Sequence, residues 1–227
     1  MKRQFFIYLS LLFFNFADAQ IHEIGVFLGG NNYIGDIGKT TYVNPNQLAY
    51  GVLYKWNRST RHSWRASYIQ GKITGNDAES EEPNRNLRGY SFENTIKELT
   101  LGLEFNFFEF NLHNLNRQVT PYVFGGLSFT QYKGLFFKNG KTTSDADHGT
   151  ATIPMIIGVK SNLLPKLILG FEVGARYTFA DDLDGSNPTN KSLSQLKFGN
   201  INSNDWYMFT GFTLTYTFGN KPCFCPD

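Results

Sequence analysis

Apolar and polar positions alternate with a period of two in eight stretches, near residues 22–29, 48–57, 62–73, 95–108, 120–133, 151–163, 167–179 and 206–218. That period puts successive side chains on opposite faces of an extended chain, so each stretch is predicted to be a β-strand. The fourth is the plainest: Leu99, Leu101, Leu103, Phe105 and Phe107 alternate with Glu98, Thr100, Gly102, Glu104 and Asn106. Tyr50, Val52, Tyr54 and Trp56 oppose Ala49, Gly51, Leu53 and Lys55 in the second. In the first and fifth stretches Phe and Gly occupy both parities, and the facing is less clear. No stretch after residue 20 carries a helical period.

The connections alternate in length. Long polar ones are predicted at 30–47, 74–94, 134–150 and 180–205, and shorter ones at 58–61, 109–119 and 164–166. A soluble sandwich has no need of that rhythm, whereas outer-membrane barrels pair long extracellular loops with short periplasmic turns. The segments are also near the length of about 9–11 residues that a tilted bilayer crossing needs. The expected fold is therefore all-β: an eight-stranded antiparallel transmembrane outer-membrane β-barrel, both termini periplasmic. A soluble lipocalin-like barrel is the competing fold. Its apolar face would line a ligand cavity and the alternate face would have to be a polar exterior, which it is not.

In a closed barrel the apolar parity meets lipid and the other parity fills the lumen. Lys55, Arg65, Glu98, Glu104, Lys160, Glu172 and Arg176 are then expected to form a mixed-charge, hydrogen-bonded plug, because eight strands enclose only enough space for side chains. Trp56, Trp64, Tyr122 and Tyr216 are expected in an aromatic girdle at the periplasmic interface. Tyr68, Tyr132, Tyr177, Trp206 and Tyr207 would form one at the outer interface.

The N-terminus adds a compartment. Lys2 and Arg3 precede an apolar run, Phe5 to Phe16, and then Ala17-Asp18-Ala19. These are the parts of a secretory signal peptide, predicted to be 1–19 and cleaved to leave Gln20 first; an uncleaved anchor would need a longer apolar run. Residues 20–218 are assigned to the barrel and 219–227 to a periplasmic tail. Formal net charge is +2 and aromatic content 16%, with mean hydropathy −0.31. These values argue against nucleic-acid partners and helical membrane bundles, and fit alternation. Cys223 and Cys225 flank Phe224 in the closing PCFCPD. One intervening residue disfavours an easy mutual disulfide, and a metal site lacks further ligands nearby. A strained pair, a bond to a partner and free thiols all stay open.

Candidate chemistry is sparse. Three of the four histidines, His22, His62 and His113, fall near periplasmic ends, and His148 stands alone in a long loop. His62 and Ser63 are adjacent but point to opposite faces of a strand, which counts against a Ser/His hydrolase. DDLDGSNPTN (181–190) has part of a calcium-loop spacing without the twelfth-position Glu and reads as a turn. DAESEEPNR (77–85) reads as a solvated loop. No catalytic residue, cofactor or metal is expected.

Several longer motifs carry a resemblance: IHEIGVFLGG with NYIGD, YGVLYKWN, RGYSFENTIKEL, GLEFNFFEF, FEVGARYTFADDLDGSNP, FGNINSNDWYMFTGFTLTYTFG and PCFC. From about Ile21 to Asp227 the chain resembles the PorG family of outer-membrane barrels, components of the type IX secretion system of Bacteroidetes. The resemblance implies a non-enzymatic part in protein export and, in gliding species, motility, through association with the periplasmic ring of the lipoprotein PorK and its partner PorN. It offers no catalytic residues. Cys223, Phe224 and Cys225 are the candidate ring contacts, because a tail follows the last strand. A small diffusion pore and a lipid-modifying barrel enzyme are the alternatives.

Overall fold

The computed structural model describes residues 21–114, 116–200 and 202–219; the signal segment and Cys223, Phe224 and Cys225 lie outside that range. The eight strands are β1 (Ile21–Ile34), β2 (Gln47–Asn57), β3 (His62–Asn76), β4 (Ser91–Asn106), β5 (Val119–Lys138), β6 (Lys141–Leu164), β7 (Leu167–Thr178) and β8 (Trp206–Phe218). Each pairs antiparallel with its sequence neighbour, and β8 returns to β1 from His22↔Phe218 to Ile34↔Trp206. The sheet is closed, so within the barrel wall each strand has a partner on both sides.

The predicted parities hold around the circumference. Leu99 is 60% exposed, while its neighbour Glu98 is completely buried. Leu101, Leu127, Ile157, Phe212 and Leu214 share the outward face. A wall of exposed leucine, isoleucine and phenylalanine suits hydrocarbon as its solvent, because in water so large an apolar patch would drive association.

One end carries connections 58–61, 107–118 and 165–166, the other 35–46, 77–90 and 179–205. The predicted long connection 134–150 is instead an extension of the β5–β6 hairpin, closed by Asn139-Gly140 alone. Both residues have positive φ, 53° and 74°, as a type I′ turn requires, and Asn-Gly is the pair that adopts it most easily. β1 likewise runs past its expected end at residue 29. The 77–90 connection holds a short helix, Pro83–Arg88, ended by Gly89 in the left-handed region.

Three predicted girdle residues face the other way. Tyr122, Tyr132 and Tyr207 are buried in the lumen, whereas Trp56, Trp64, Tyr68, Tyr177, Trp206 and Tyr216 point outward. The reason is parity: Tyr122 shares its face with Phe124 and Thr130, and Tyr207 with Phe209 and Thr213. Toward the long-loop end the lumen is apolar, filled by Phe27, Leu53, Ile69, Ile96 and Phe209. The ionic plug therefore occupies only part of the expected length.

Candidate functional site

Below that apolar layer lie the charges. Glu104, from β4, receives Lys160 Nζ at 2.6 Å and Lys55 Nζ at 2.8 Å, with Arg65 Nη1 at 3.8 Å. Arg65 turns its fork to Glu172, donating from Nη1 at 2.7 Å and Nη2 at 2.8 Å, and the Tyr122 hydroxyl donates to the same carboxylate at 2.7 Å. Glu98 accepts from Arg176 Nε at 3.3 Å, from Tyr207 at 2.6 Å and from Thr100 at 3.0 Å. Arg176 also donates to the Gly174 carbonyl at 2.7 Å. A Cβ at Gly174 would sit 2.3 Å from that same guanidinium nitrogen, so this position needs glycine for the side chain to fold back.

All seven predicted lumen residues are buried in the lumen, five of them in the Glu104–Arg65–Glu172 cluster and two in the Glu98–Arg176 pair. Their charges do not balance, four cations against three anions, and the eighth charge buried in the barrel wall is Glu23. It is completely buried and accepts from Asn57 Nδ2 at 3.0 Å and Thr215 Oγ1 at 2.7 Å. With Glu23 included the sum is zero. The excess cation was a readable signal, as was the outward parity of Ile24, Val26 and Leu28. Because a single uncompensated ion inside a protein costs several kcal/mol, about 3–5 when a partner is removed, neutrality is a condition for this lumen to be filled at all.

Both ends are closed. At the short-turn end Phe110 is buried beneath Lys160, whose ammonium lies 5.1 Å from the ring centroid. Backbone bonds tie the 58–61 turn to the 107–118 turn, Asn106 N to Arg61 O at 2.8 Å and Phe110 N to Thr60 O at 3.0 Å. At the long-loop end, Asp77 from the acidic run is buried rather than solvated. It takes two bonds from Arg88, 2.7 and 3.0 Å, and one from the Gly38 amide at 2.9 Å, which locks loop 77–90 to loop 35–46.

The 181–190 segment is not an exposed turn either. Leu183 is inserted into the lumen core, and its amide donates to Asp205 at 3.0 Å. The Tyr33 hydroxyl bonds the other oxygen of Asp205, and Tyr132 bonds Asp182. His148, which the sequence placed alone, has its Nδ1 2.7 Å from Asp182; Gly134, at the β-bulge, gives the ring its space. Burial first, and then the neighbouring Asp184 carboxylate, raises Asp205 well above the usual carboxylate range. Burial also raises Asp181 to about 6, with Asp184, Asp36 and Asp182 reinforcing it against the Asn187 amide. Among the described residues no group of three His, Cys, Asp or Glu side chains is placed to hold a metal ion.

Residues 2–227 match the family described as Domain of unknown function (DUF6089). The chain belongs to this family. No curated protein matches this DUF6089 chain. Among solved structures it is similar to Ail of Yersinia pestis in complex with the heparin analogue sucrose octasulfate: 12% identity, 88% of this chain and 99% of that chain covered, TM-score 0.47. It is similar to the N-terminal β-barrel domain of Pseudomonas aeruginosa OprF, with 11% identity, 88% and 98% covered and TM-score 0.47. It is also similar to Neisserial surface protein A, at 9% identity, 88% and 95% covered and TM-score 0.45. The DUF6089 chain is an eight-stranded antiparallel closed barrel with an apolar outward face.

Proposed function

We propose that this protein is a non-enzymatic outer-membrane component of a type IX secretion machinery, anchoring or assembling the periplasmic PorK/PorN ring. The short turns and both termini face the periplasm in this reading. One observation carries the choice of an anchor over a conduit: the lumen side chains are sealed. Glu98, Glu104 and Arg65 have no accessible surface, and groups lining an open pore would be wet. What remains to act is the surface, and at the short-turn end the interlocked turns 58–61 and 107–118 present Phe107 and Phe108, both half-exposed or more. The motif-by-motif resemblance supplies the partner, and the tail with Cys223, Phe224 and Cys225 is the proposed contact.

Deleting residues 219–227 tests it. The barrel should fold and reach the membrane, while PorK and PorN no longer co-purify with it. Full retention of both ring proteins would refute the role of the tail, and planar-bilayer conductance by the purified barrel would refute the sealed lumen. A second reading, a lipid-modifying enzyme, is favoured only by the Asp182–His148 pair, since a carboxylate on Nδ1 orients an imidazole for acid–base work. Lipid A mass spectra unchanged by His148→Gln would dismiss it.

A further inference from the structure

The outward wall is not uniform around the barrel. On β3, β4 and β5 the apolar surface ends at the row Tyr68–Leu99–Phe129. The next row toward the long-loop end is Gln70–Lys97–Gln131, and beyond it Lys72 faces Thr95 and Lys133 faces Asp147. On the far wall the corresponding edge is Tyr177–Trp206–Ile34, which carries no charge. Lys72 is occupied by Glu93 at 2.6 Å. Lys97 and Lys133 are exposed, and neither forms an ion pair among the described residues. A hollow of about 310 Å³ lies against the wall here, lined in part by Gln70, Thr95, Lys97, Gln131, Lys133 and Asp147.

We infer that this hollow binds the phosphorylated sugar headgroup of a glycolipid in the leaflet at the long-loop end. The inference rests on the orientation given above, which makes that leaflet the outer one. Placement decides the class of ligand: one residue row above hydrocarbon, whatever touches the wall is a lipid headgroup. The donors decide its charge. A lysine stem can lie along the apolar edge while its ammonium reaches the headgroup layer, and two unpaired ammoniums among Gln and Thr donors suit phosphate oxygens. Asp147 decides between lipids, because a carboxylate beside the cations would accept bonds from sugar hydroxyls and would repel a second phosphate.

Native mass spectrometry of the purified full-length mature barrel in detergent tests this with three probes: monophosphoryl lipid A, the same lipid dephosphorylated, and phosphatidylglycerol. Monophosphoryl lipid A should bind most tightly. Lys97→Gln/Lys133→Gln should weaken it by about fivefold per lysine removed, and a retained heat-dependent gel shift would show that the variant is folded. Equal binding by wild type and variant, no loss on dephosphorylation, or equally tight phosphatidylglycerol would each overturn the assignment. Orientation is checked apart from this, by labelling a cysteine at the exposed loop position Leu87 in intact cells. The two ideas can therefore fail separately.

Discussion

Replacing Glu104 by Gln removes one charge from the centre of the lumen and changes almost no volume. Three cations lose their shared counter-ion: Lys160 at 2.6 Å, Lys55 at 2.8 Å and Arg65 at 3.8 Å. Arg65 keeps Glu172, but among the described residues the two lysines have no other carboxylate within 4.0 Å. Removing one partner of a buried pair costs about 3–5 kcal/mol, far more than the intact pair contributes. At a urea slope of about 2 kcal/mol per molar, the midpoint should fall by about 2 M. Refolded barrel in detergent, followed by heat-dependent gel mobility across a urea series, reads this directly. Glu104→Gln combined with Lys160→Met restores neutrality and should recover more than half the loss, which makes the pair strongly coupled in a double-mutant cycle. Glu93→Gln, which breaks the exposed pair with Lys72, is the control and should cost under about 1 kcal/mol. If Glu104→Gln costs no more than Glu93→Gln, the lumen is hydrated and the reasoning from charge balance is wrong.

Two other outcomes follow from the lid, the loop 179–205 that closes the long-loop end with Leu183 in the core, and from the β5–β6 hairpin. Asp181, raised to about 6, and Asp205, raised well above the ordinary carboxylate range, hold protons in the closed lid that an unfolded Asp, with a pKa of about 3.9, would release. Their contribution is complete below about pH 4 and is lost as pH rises through about 6 and beyond. Amide exchange of residues 181–187, corrected for intrinsic rates, should therefore be faster at pH 8 than at pH 5. The groups packed around them are Asp36, Asp182, Asp184, Tyr33, Tyr132 and His148, and an opposite trend would show that one of these dominates. Gly140 has φ 74° and open space where a Cβ would go, so Gly140→Val should cost about 1–2 kcal/mol from backbone conformation alone. Gly140→Asn, which tolerates that conformation, should cost much less; equal losses in thermal midpoint would contradict the turn assignment.

Strand parity was legible because lipid and lumen impose opposite chemistry on alternate residues, and Leu99 to Phe107 record it plainly. Lys55, Arg65, Glu98, Glu104, Lys160, Glu172 and Arg176 could be assigned inward for the same reason. Glu23 is harder to place because glycines and Phe27 blur the parity of β1, although the charge imbalance calls for another anion. Tyr122, Tyr132 and Tyr207 sit at interfacial height, but strand parity, not height, decides whether a side chain meets lipid or lumen. Asn139-Gly140 is a local hairpin signal within the polar stretch 134–150. The lid was not legible: Asp77 with Arg88 is a contact within one loop, but Leu183, Asp205 and Tyr33 meet only once the barrel has closed. Polar sequence such as DDLDGSN looks the same whether water or protein surrounds it.

The central claim is that hydrocarbon surrounds one face of these strands and a sealed, neutral lumen lies behind the other. Nitroxide labels at Leu99, Leu101, Leu127 and Ile157, read by electron paramagnetic resonance in native membranes, test it most directly. The account predicts high collision rates with oxygen and low rates with a water-soluble nickel chelate at all four. Chelate collision at those positions as frequent as at Leu87 in the exposed loop would contradict it.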